Sequence, residues 1–327
     1  VPRIVDVARR AGVSTATVSR ALNGKPVRPD LLAAVTAAAA ELGYTPDRTA
    51  RSLRRRSSDV VALVLPDVEN PFFTAVARGV EDVAQAHGVS VVLCNTDDDP
   101  VKEARYLAVA QDENMAGVVI ASASDRPALT PLLDRDRAVV AVDRAVADDV
   151  DLVTFDNVAL GRAATRGLIE RGFRRIACVT GPSATSTAVE RAQGWREALE
   201  VAGLPVPDDL LVRSDYRVAG AHDAAVDLLG RTPPPDAVLA TNNLGGVGVL
   251  RALAERGLPV ASAAGEAGCG VAIVGDLPFA TSSTDGVVLV PLDPRDLGAA
   301  AARMLMERIQ GLDGPARRVV QQVTARS

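Results

Sequence analysis

Residues 4–23, IVDVARRAGVSTATVSRALN, hold two short helical repeats joined at a glycine, and few folds accommodate that pattern. Ile4, Val7, Ala8 and Ala11 recur at helical spacing and form one apolar face. Gly12 and Val13 supply a turn, and Ser14 stands where its hydroxyl can cap the next helix. Val18, Ala21 and Leu22 turn inward, which leaves Thr15, Ala16, Thr17, Ser19, Arg20 and Asn23 outside. A merely solvated helix carries long Glu and Lys side chains. This outward set is short, polar and cationic, as suits a helix entering the major groove of DNA. The plain alternative is a helical hairpin inside some other domain.

Charge divides the chain at the same place. Residues 1–58 carry 11 Lys and Arg against 4 Asp and Glu, a net +7. The remainder carries 25 against 37, a net −12. A basic head on an acidic body implies a polyanionic partner for the head alone. The 327 residues allow more than one domain and a large core behind the head. Neither a long apolar run nor a charged-then-apolar leader before Ile4 is seen, so a cytoplasmic protein without membrane association is expected. Cys94, Cys178 and Cys269 are widely spaced and odd in number, which fits reduced buried thiols rather than a disulfide or metal framework.

Pro29 opens a predicted third helix, LLAAVTAAAAELG, that ends at Gly43 and completes a small helical domain over 1–44. Thr45 and Pro46 can then start a very short helix in a hinge and linker over 45–58. So short a helix is marginal alone in water and needs DNA or a second chain to hold it. From residue 59 the runs VVALVLP, VSVVLCNT, GVVIAS, AVVAVD, RRIACVT, AVLAT and GVAIV alternate with amphipathic helical segments. Fully apolar strands between helices imply parallel sheets covered on both faces. The number of units implies two doubly wound lobes, with ligands outside the strands' carboxyl ends. The first lobe is expected over about 59–157 and 289–314, and the second over about 158–288 and 315–327.

DVARRAGVSTATVSRALNGK, ELGYTPDRTARSL, NPFFTAVARGVEDVAQAHG, LCNTDDDP, GPSATSTAVERAQGW and LGAAAARMLMERI occur in that order. Through them the chain resembles the lactose repressor (LacI/GalR) family of bacterial transcription regulators along nearly its whole length. The resemblance implies a small all-α helix-turn-helix head, a hinge helix, and an α/β core of the periplasmic-binding-protein type I kind. It also implies a homodimer on a near-palindromic double-stranded DNA operator, switched by a small-molecule effector, a sugar or related polar metabolite. Chains of this family with terminal heptads form tetramers; QQVTARS has none, so a dimer is expected.

Position by position, the resemblance makes Thr15, Ala16 and Arg20 the base readers. Ser14, Thr17, Ser19 and Asn23 become phosphate ligands that set register. Leu53, with Arg51 beside it, matches the hinge leucine that wedges into the minor groove. Around the effector it places Phe72, Phe73, Asp156, Arg191, Tyr216, Asn242 and Asp276. Plain alternatives stand beside these: helix core for Phe72 and Phe73, a helix cap for Asp156, an ion pair for Arg191. Asn243 replaces the Asp of a common Asn-Asp pair, and GVAIVGDLPFA replaces a Gly-aromatic-Asp-Asp segment. Gly275 then stands in the ligand-binding place, unless a short deletion lets Asp276 take that role. No Walker sequence, zinc spacing or Ser-His-Asp set is visible, and His87 and His222 lie in helical runs, so neither catalysis nor a cofactor is expected. The competing functions are a solute-binding sensor, which would be secreted without a basic head, and an effector-independent DNA-binding protein.

Overall fold

The computed structural model describes residues 2–22, 26–44, 58–146, 148–277 and 285–322. They form two compact units, 1–58 and 59–327. In the head, α1 (Ile4–Ala11), α2 (Thr15–Leu22) and α3 (Pro29–Glu41) enclose a small core of Val7, Ala8, Val18, Ala21, Val35, Ala38 and Ala39. Gly12 ends α1 at φ 66°, a left-handed conformation that glycine adopts without a Cβ penalty. The Ser14 hydroxyl accepts from the Thr17 amide at 3.1 Å and so caps α2 as the sequence predicts.

The larger unit holds two wholly parallel sheets. The first is built from β1 (Val60–Leu65), β2 (Ser90–Asn95), β3 (Gly117–Ile120), β4 (Ala138–Val142), β5 (Asp151–Phe155) and β11 (Arg318–Gln321), in the order β11-β5-β4-β3-β1-β2. The second is built from β6 (Ile176–Thr180), β7 (Leu211–Arg213), β8 (Ala237–Ala240), β9 (Gly270–Val274) and β10 (Val287–Val290), in the order β10-β9-β8-β6-β7. The seven apolar runs singled out above each contain a strand. DLVTF, LVR, VVLV and RVVQ are four more that the sequence reading passed over.

Helices α4 (Pro71–Ala86), α5 (Pro100–Asp112), α6 (Thr130–Leu133) and α11 (Pro294–Ile309) pack with the first sheet. Helices α7 (Asn157–Glu170), α8 (Ser186–Val201), α9 (Val218–Leu229) and α10 (Asn243–Glu255) pack with the second. The chain passes from the first sheet to the second between β5 and α7, and returns between β10 and α11.

The expected lobe boundaries need two corrections at the C-terminal side. Val287–Val290 pairs with β9, so the second lobe runs on to residue 290. Arg318–Gln321 pairs with Leu152–Phe155 and belongs to the first sheet, not to the second lobe. The cause is a buried clasp. Asp151, 3 % exposed, takes both Arg308 (2.8 and 3.0 Å) and Arg317 (3.0 Å), with the Arg317 amide at 2.7 Å. That carboxylate leads the C-terminal segment onto the edge of β5.

Candidate functional site

Two surfaces carry the predicted chemistry, one in each unit. On the head, Ser14, Thr15, Ala16 and Arg20 are exposed, Thr17 and Ser19 half-buried, and Val18 and Ala21 buried behind them. Helical periodicity alone makes this division, because one face must fill the three-helix core. Arg20 donates from Nη2 to the Pro26 carbonyl at 2.9 Å, which fixes the guanidinium at the helix end. Asn23, Arg51 and Leu53 lie outside the described residues.

In the core, a cavity opens between the carboxyl ends of the two sheets, where the doubly wound arrangement places ligands. Asp67 follows β1, Asp98 follows β2, and Asp143 and Arg144 follow β4. From the second lobe come Arg191 on α8, Asp215, Tyr216 and Arg217 after β7, and Asn242 after β8. Phe72 and Phe73, at the start of α4, supply aromatic walls with ring centroids 5.0 Å apart. The Arg144 guanidinium lies 5.9 Å from the Phe73 ring centroid, within cation–π range.

Contacts across the cleft join the lobes: Arg217 Nη1 to Asp67 Oδ2 at 3.1 Å, and Asn243 Nδ2 to Asn70 Oδ1 at 3.0 Å. Arg144 donates to Asp98 at 2.7 Å and to the Ser122 carbonyl at 2.9 Å. Behind it, buried Glu103 accepts from Ser122 Oγ at 2.9 Å and the Ala123 amide at 2.6 Å. Burial pushes the Glu103 carboxyl up, against the pull of those donors. Arg191, 5 % exposed, donates from Nε to Asn157 Oδ1 at 2.9 Å and from Nη1 to the Thr241 carbonyl at 2.7 Å. Asn157 opens α7 directly after the crossover from the first sheet, so Arg191 ties the cavity wall to the inter-lobe connection.

Some polar groups of the residues that line the cavity are unsatisfied. Among the described residues, the Tyr216 hydroxyl and Arg144 Nε are buried without a hydrogen-bond partner. Asp143 is 6 % exposed, and burial raises its carboxyl pKa despite Arg191 and Arg144 nearby. Orphaned buried polar groups call for a partner. Hydroxyl-bearing ligands offer both the donors and the acceptors that these groups need.

Six of the seven predicted effector residues line this region, and one does not. Phe72, Phe73, Arg191, Tyr216 and Asn242 border the charged cavity, and Asp276 borders an adjoining one with Gly275. Asp156 lines neither; its Oδ1 caps α7 by accepting from the Ala159 amide at 2.9 Å. The sequence reading missed Asp67, Asn70, Asp98, Asp143, Arg144, Thr187, Asp215 and Arg217. For Asp67, Asp98, Asp143 and Arg144 a signal was available, since each is a polar residue within three positions of the end of an apolar run. Among the described residues no cluster of His, Cys, Asp and Glu is fit to hold a metal ion, and no helix is long and apolar enough to cross a membrane.

Comparison with known proteins assigns both parts of the chain to one family. Residues 3–47 match the model of bacterial regulatory proteins of the lacI family. Residues 58–325 match that of periplasmic binding proteins and the sugar binding domain of the LacI family. The chain is 33 % identical to a ribose operon repressor of Halalkalibacterium halodurans, over 94 % of this chain and 90 % of the relative. It is 34 % identical to the HTH-type transcriptional regulator CelR of Thermobifida fusca, over 95 % and 92 %. A solved CelR–cellobiose complex superposes with a TM-score of 0.73 at 31 % identity, covering 98 % of this chain and 97 % of the other. These relatives are transcriptional regulators rather than enzymes. On a helix-turn-helix head and a two-sheet core that match over nearly the full chain, this protein belongs to the LacI family of bacterial regulatory proteins and is a DNA-binding transcriptional regulator with an effector-binding core.

Proposed function

We propose that this regulator is a cytoplasmic homodimeric repressor of a near-palindromic operator, switched by a sugar or related polar metabolite in the cleft. The observation that carries the effector assignment is the composition of the charged cavity. Four carboxylates (Asp67, Asp98, Asp143, Asp215) and three guanidinium groups (Arg144, Arg191, Arg217) stand beside two phenyl rings. Carboxylates accept from sugar hydroxyls, guanidinium groups donate to them, and phenyl faces pack on the carbon face of a sugar ring. The relatives named for ribose and crystallised with cellobiose support the same ligand class. The role is binding and not turnover.

On DNA, Thr15, Ala16 and Arg20 read bases, and Ser14, Thr17, Ser19 and Asn23 hold phosphates. Leu53 wedges into the minor groove at the operator centre with Arg51 beside it. Two recognition helices in a dimer meet half-sites about one helical turn apart, or a multiple of it. Effector contact with Arg191 pulls on Asn157 and the crossover, and so biases the lobe angle on which hinge pairing depends.

Selection of random duplex DNA by the purified protein at fixed salt, with and without a panel of sugars, tests this. A palindromic consensus whose retention changes with one sugar is expected. Asp143→Asn should remove the sugar response and keep the consensus. Retention of no motif, with binding that vanishes at moderate salt, would sink the operator reading.

A further inference from the structure

Behind the charged cavity and outside its lining, Glu103 on α5 and Ser122 after β3 are 1 % and 2 % exposed. Polar atoms crowd the Ser122 hydroxyl. The Glu103 carboxyl oxygens lie 2.9 and 3.0 Å from Oγ, the Ser124 carbonyl 2.7 Å and the Ser124 amide 3.0 Å. The amide donates to Oγ, which leaves one hydroxyl hydrogen for the carboxyl and the Ser124 carbonyl together. A carboxylate would take that hydrogen. The carbonyl would then face Oγ at 2.7 Å, oxygen against oxygen with no hydrogen between them. A protonated carboxyl removes the conflict: it donates to Oγ, Oγ donates to the Ser124 carbonyl, and each of these groups is paired. The Ala123 amide, 2.6 Å from Glu103 Oε2, donates to the carboxyl in either state. Counting hydrogens thus reverses the Ser122–Glu103 contact, which distances alone write with the hydroxyl as donor.

We infer that Glu103 is a positioning residue of the effector cavity and works as the neutral acid. Its hydrogen bonds fix residues 122–124, and the Ser122 carbonyl at the start of that turn accepts from Arg144 Nη1 at 2.9 Å. Arg144 lines the cavity and donates to Asp98 there at 2.7 Å. Glu103 acts on the cavity only through this relay. Two charged groups act on its carboxyl: Arg144 after β4 favours the carboxylate, and Asp98 after β2 opposes it. They are paired with each other, so their effects largely cancel. β1 and α6, which pack against α5, bring no charged side chain. Burial therefore decides, and it favours the acid. This role belongs to the cavity wall, so it stands or falls independently of which ligand the cavity takes.

Glu103→Gln mimics the neutral acid, since its amide can donate to Ser122 Oγ while its carbonyl accepts from the Ala123 amide. In the full-length protein at neutral pH, the infrared difference between parent and Glu103→Gln should contain the carbonyl stretch of a protonated carboxyl. A carboxylate band in its place overturns the inference. Urea melts supply the sign. An acid that stays neutral when folded but ionises when unfolded costs the fold stability as pH rises past its unfolded value of about 4.3. Glu103→Gln should therefore gain steadily on the parent from about pH 4 to about pH 7. A gap that is constant, or that moves the other way, overturns the neutral acid. The Arg144 Nε–H resonance, assigned by its loss in Arg144→Lys, reports the positioning. It should keep its shift in Glu103→Gln and move or broaden in Ser122→Ala and Glu103→Leu, which cut the relay from its two ends. A resonance unmoved in whichever of these two folds overturns the positioning role, even with a neutral carboxyl.

Discussion

Arg20, proposed above as a base reader, is held in place by the head itself. Its neighbours Val18 and Ala21 are buried, so the α2 backbone is fixed, and the Pro26 carbonyl holds one end of the guanidinium. A held guanidinium loses less freedom on docking than a loose one, and its fork matches guanine O6 and N7. Arg20→Ala should therefore weaken operator binding by about 1–3 kcal/mol and relax preference at one base pair per half-site. Fluorescence anisotropy at fixed salt, on the operator and on single-base variants, checks both. A uniform loss across all sequences would make Arg20 a phosphate ligand instead. Which residues of the head face outward is legible in the sequence because helix periodicity assigns inside and outside directly. The effector residues were harder, because Asp143 and Arg144 meet Arg191 and Tyr216 only after two sheets have folded. Asp156 takes the plain alternative: a carboxylate beside the crossover caps the first turn of its own helix, and neither cavity described above includes it in its lining.

The elements are held by close packing and by one ionic clasp. Gly79 on α4 and Gly298 on α11 face each other so closely that added Cβ atoms would lie 1.9 Å from the Arg295 carbonyl and 2.1 Å from the Val76 carbonyl. Gly161 and Gly194 make the same reciprocal contact between α7 and α8. Backbone cannot yield as a flexible side chain does, so Gly298→Ala should separate α4 from α11 and cost about 1–3 kcal/mol. Thermal unfolding should show a fall of a few degrees, and an unchanged midpoint would mean that the helices slide apart freely. Asp151 is the clasp. Burial alone would raise its pKa, but hydrogen bonds from Arg308 and from the Arg317 amide and guanidinium outweigh that and lower it to about 2.

A depressed carboxyl stabilises the fold above its unfolded pKa of about 3.9 and loses that contribution as pH falls toward the folded value. Asp151→Asn should thus cost about 1–2 kcal/mol at neutral pH once solvent screening at Arg317 is allowed for. In urea melts the gap to the parent protein should close as pH falls from about 4 toward about 2. A gap constant with pH would deny the clasp its charge. The same residue explains a limit on reading the sequence. Short apolar runs announced seven strands, but DLVTF begins with an Asp that reads as a loop until Arg308 and Arg317 arrive from the far end of the chain. With that pairing unseen, the C-terminal strand was placed in the wrong lobe.

At the scale of the whole molecule, the question is how a binding event between two sheets can reach DNA held by a separate unit. The charges of the two units set the conditions. A head of net +7 attracts any duplex, and a body of net −12 does not, so sequence-independent affinity resides in residues 1–58. That term falls steeply with salt through counterion release, whereas base contacts and a hinge wedge depend less on salt. In the mechanism proposed above, coupling to the effector acts on hinge order and half-site spacing, since the cavity ligand does not alter the head's charge. In the core, the Arg217–Asp67 and Asn243–Asn70 contacts span the lobes, and Arg191 reaches the crossover through Asn157. A ligand that changes any of these changes the lobe angle. If the angle sets hinge order, the two binding equilibria are linked, and the linkage is reciprocal. The factor by which saturating effector shifts the operator Kd should equal the factor by which saturating operator shifts the effector Kd, in one buffer. Leu53→Ala should shrink both factors together while leaving effector affinity in the absence of DNA unchanged. Anisotropy for the operator and calorimetry for the effector supply the four constants. Unequal factors, or a Leu53→Ala protein with full coupling, would show that the cavity and the operator communicate by some route other than the hinge.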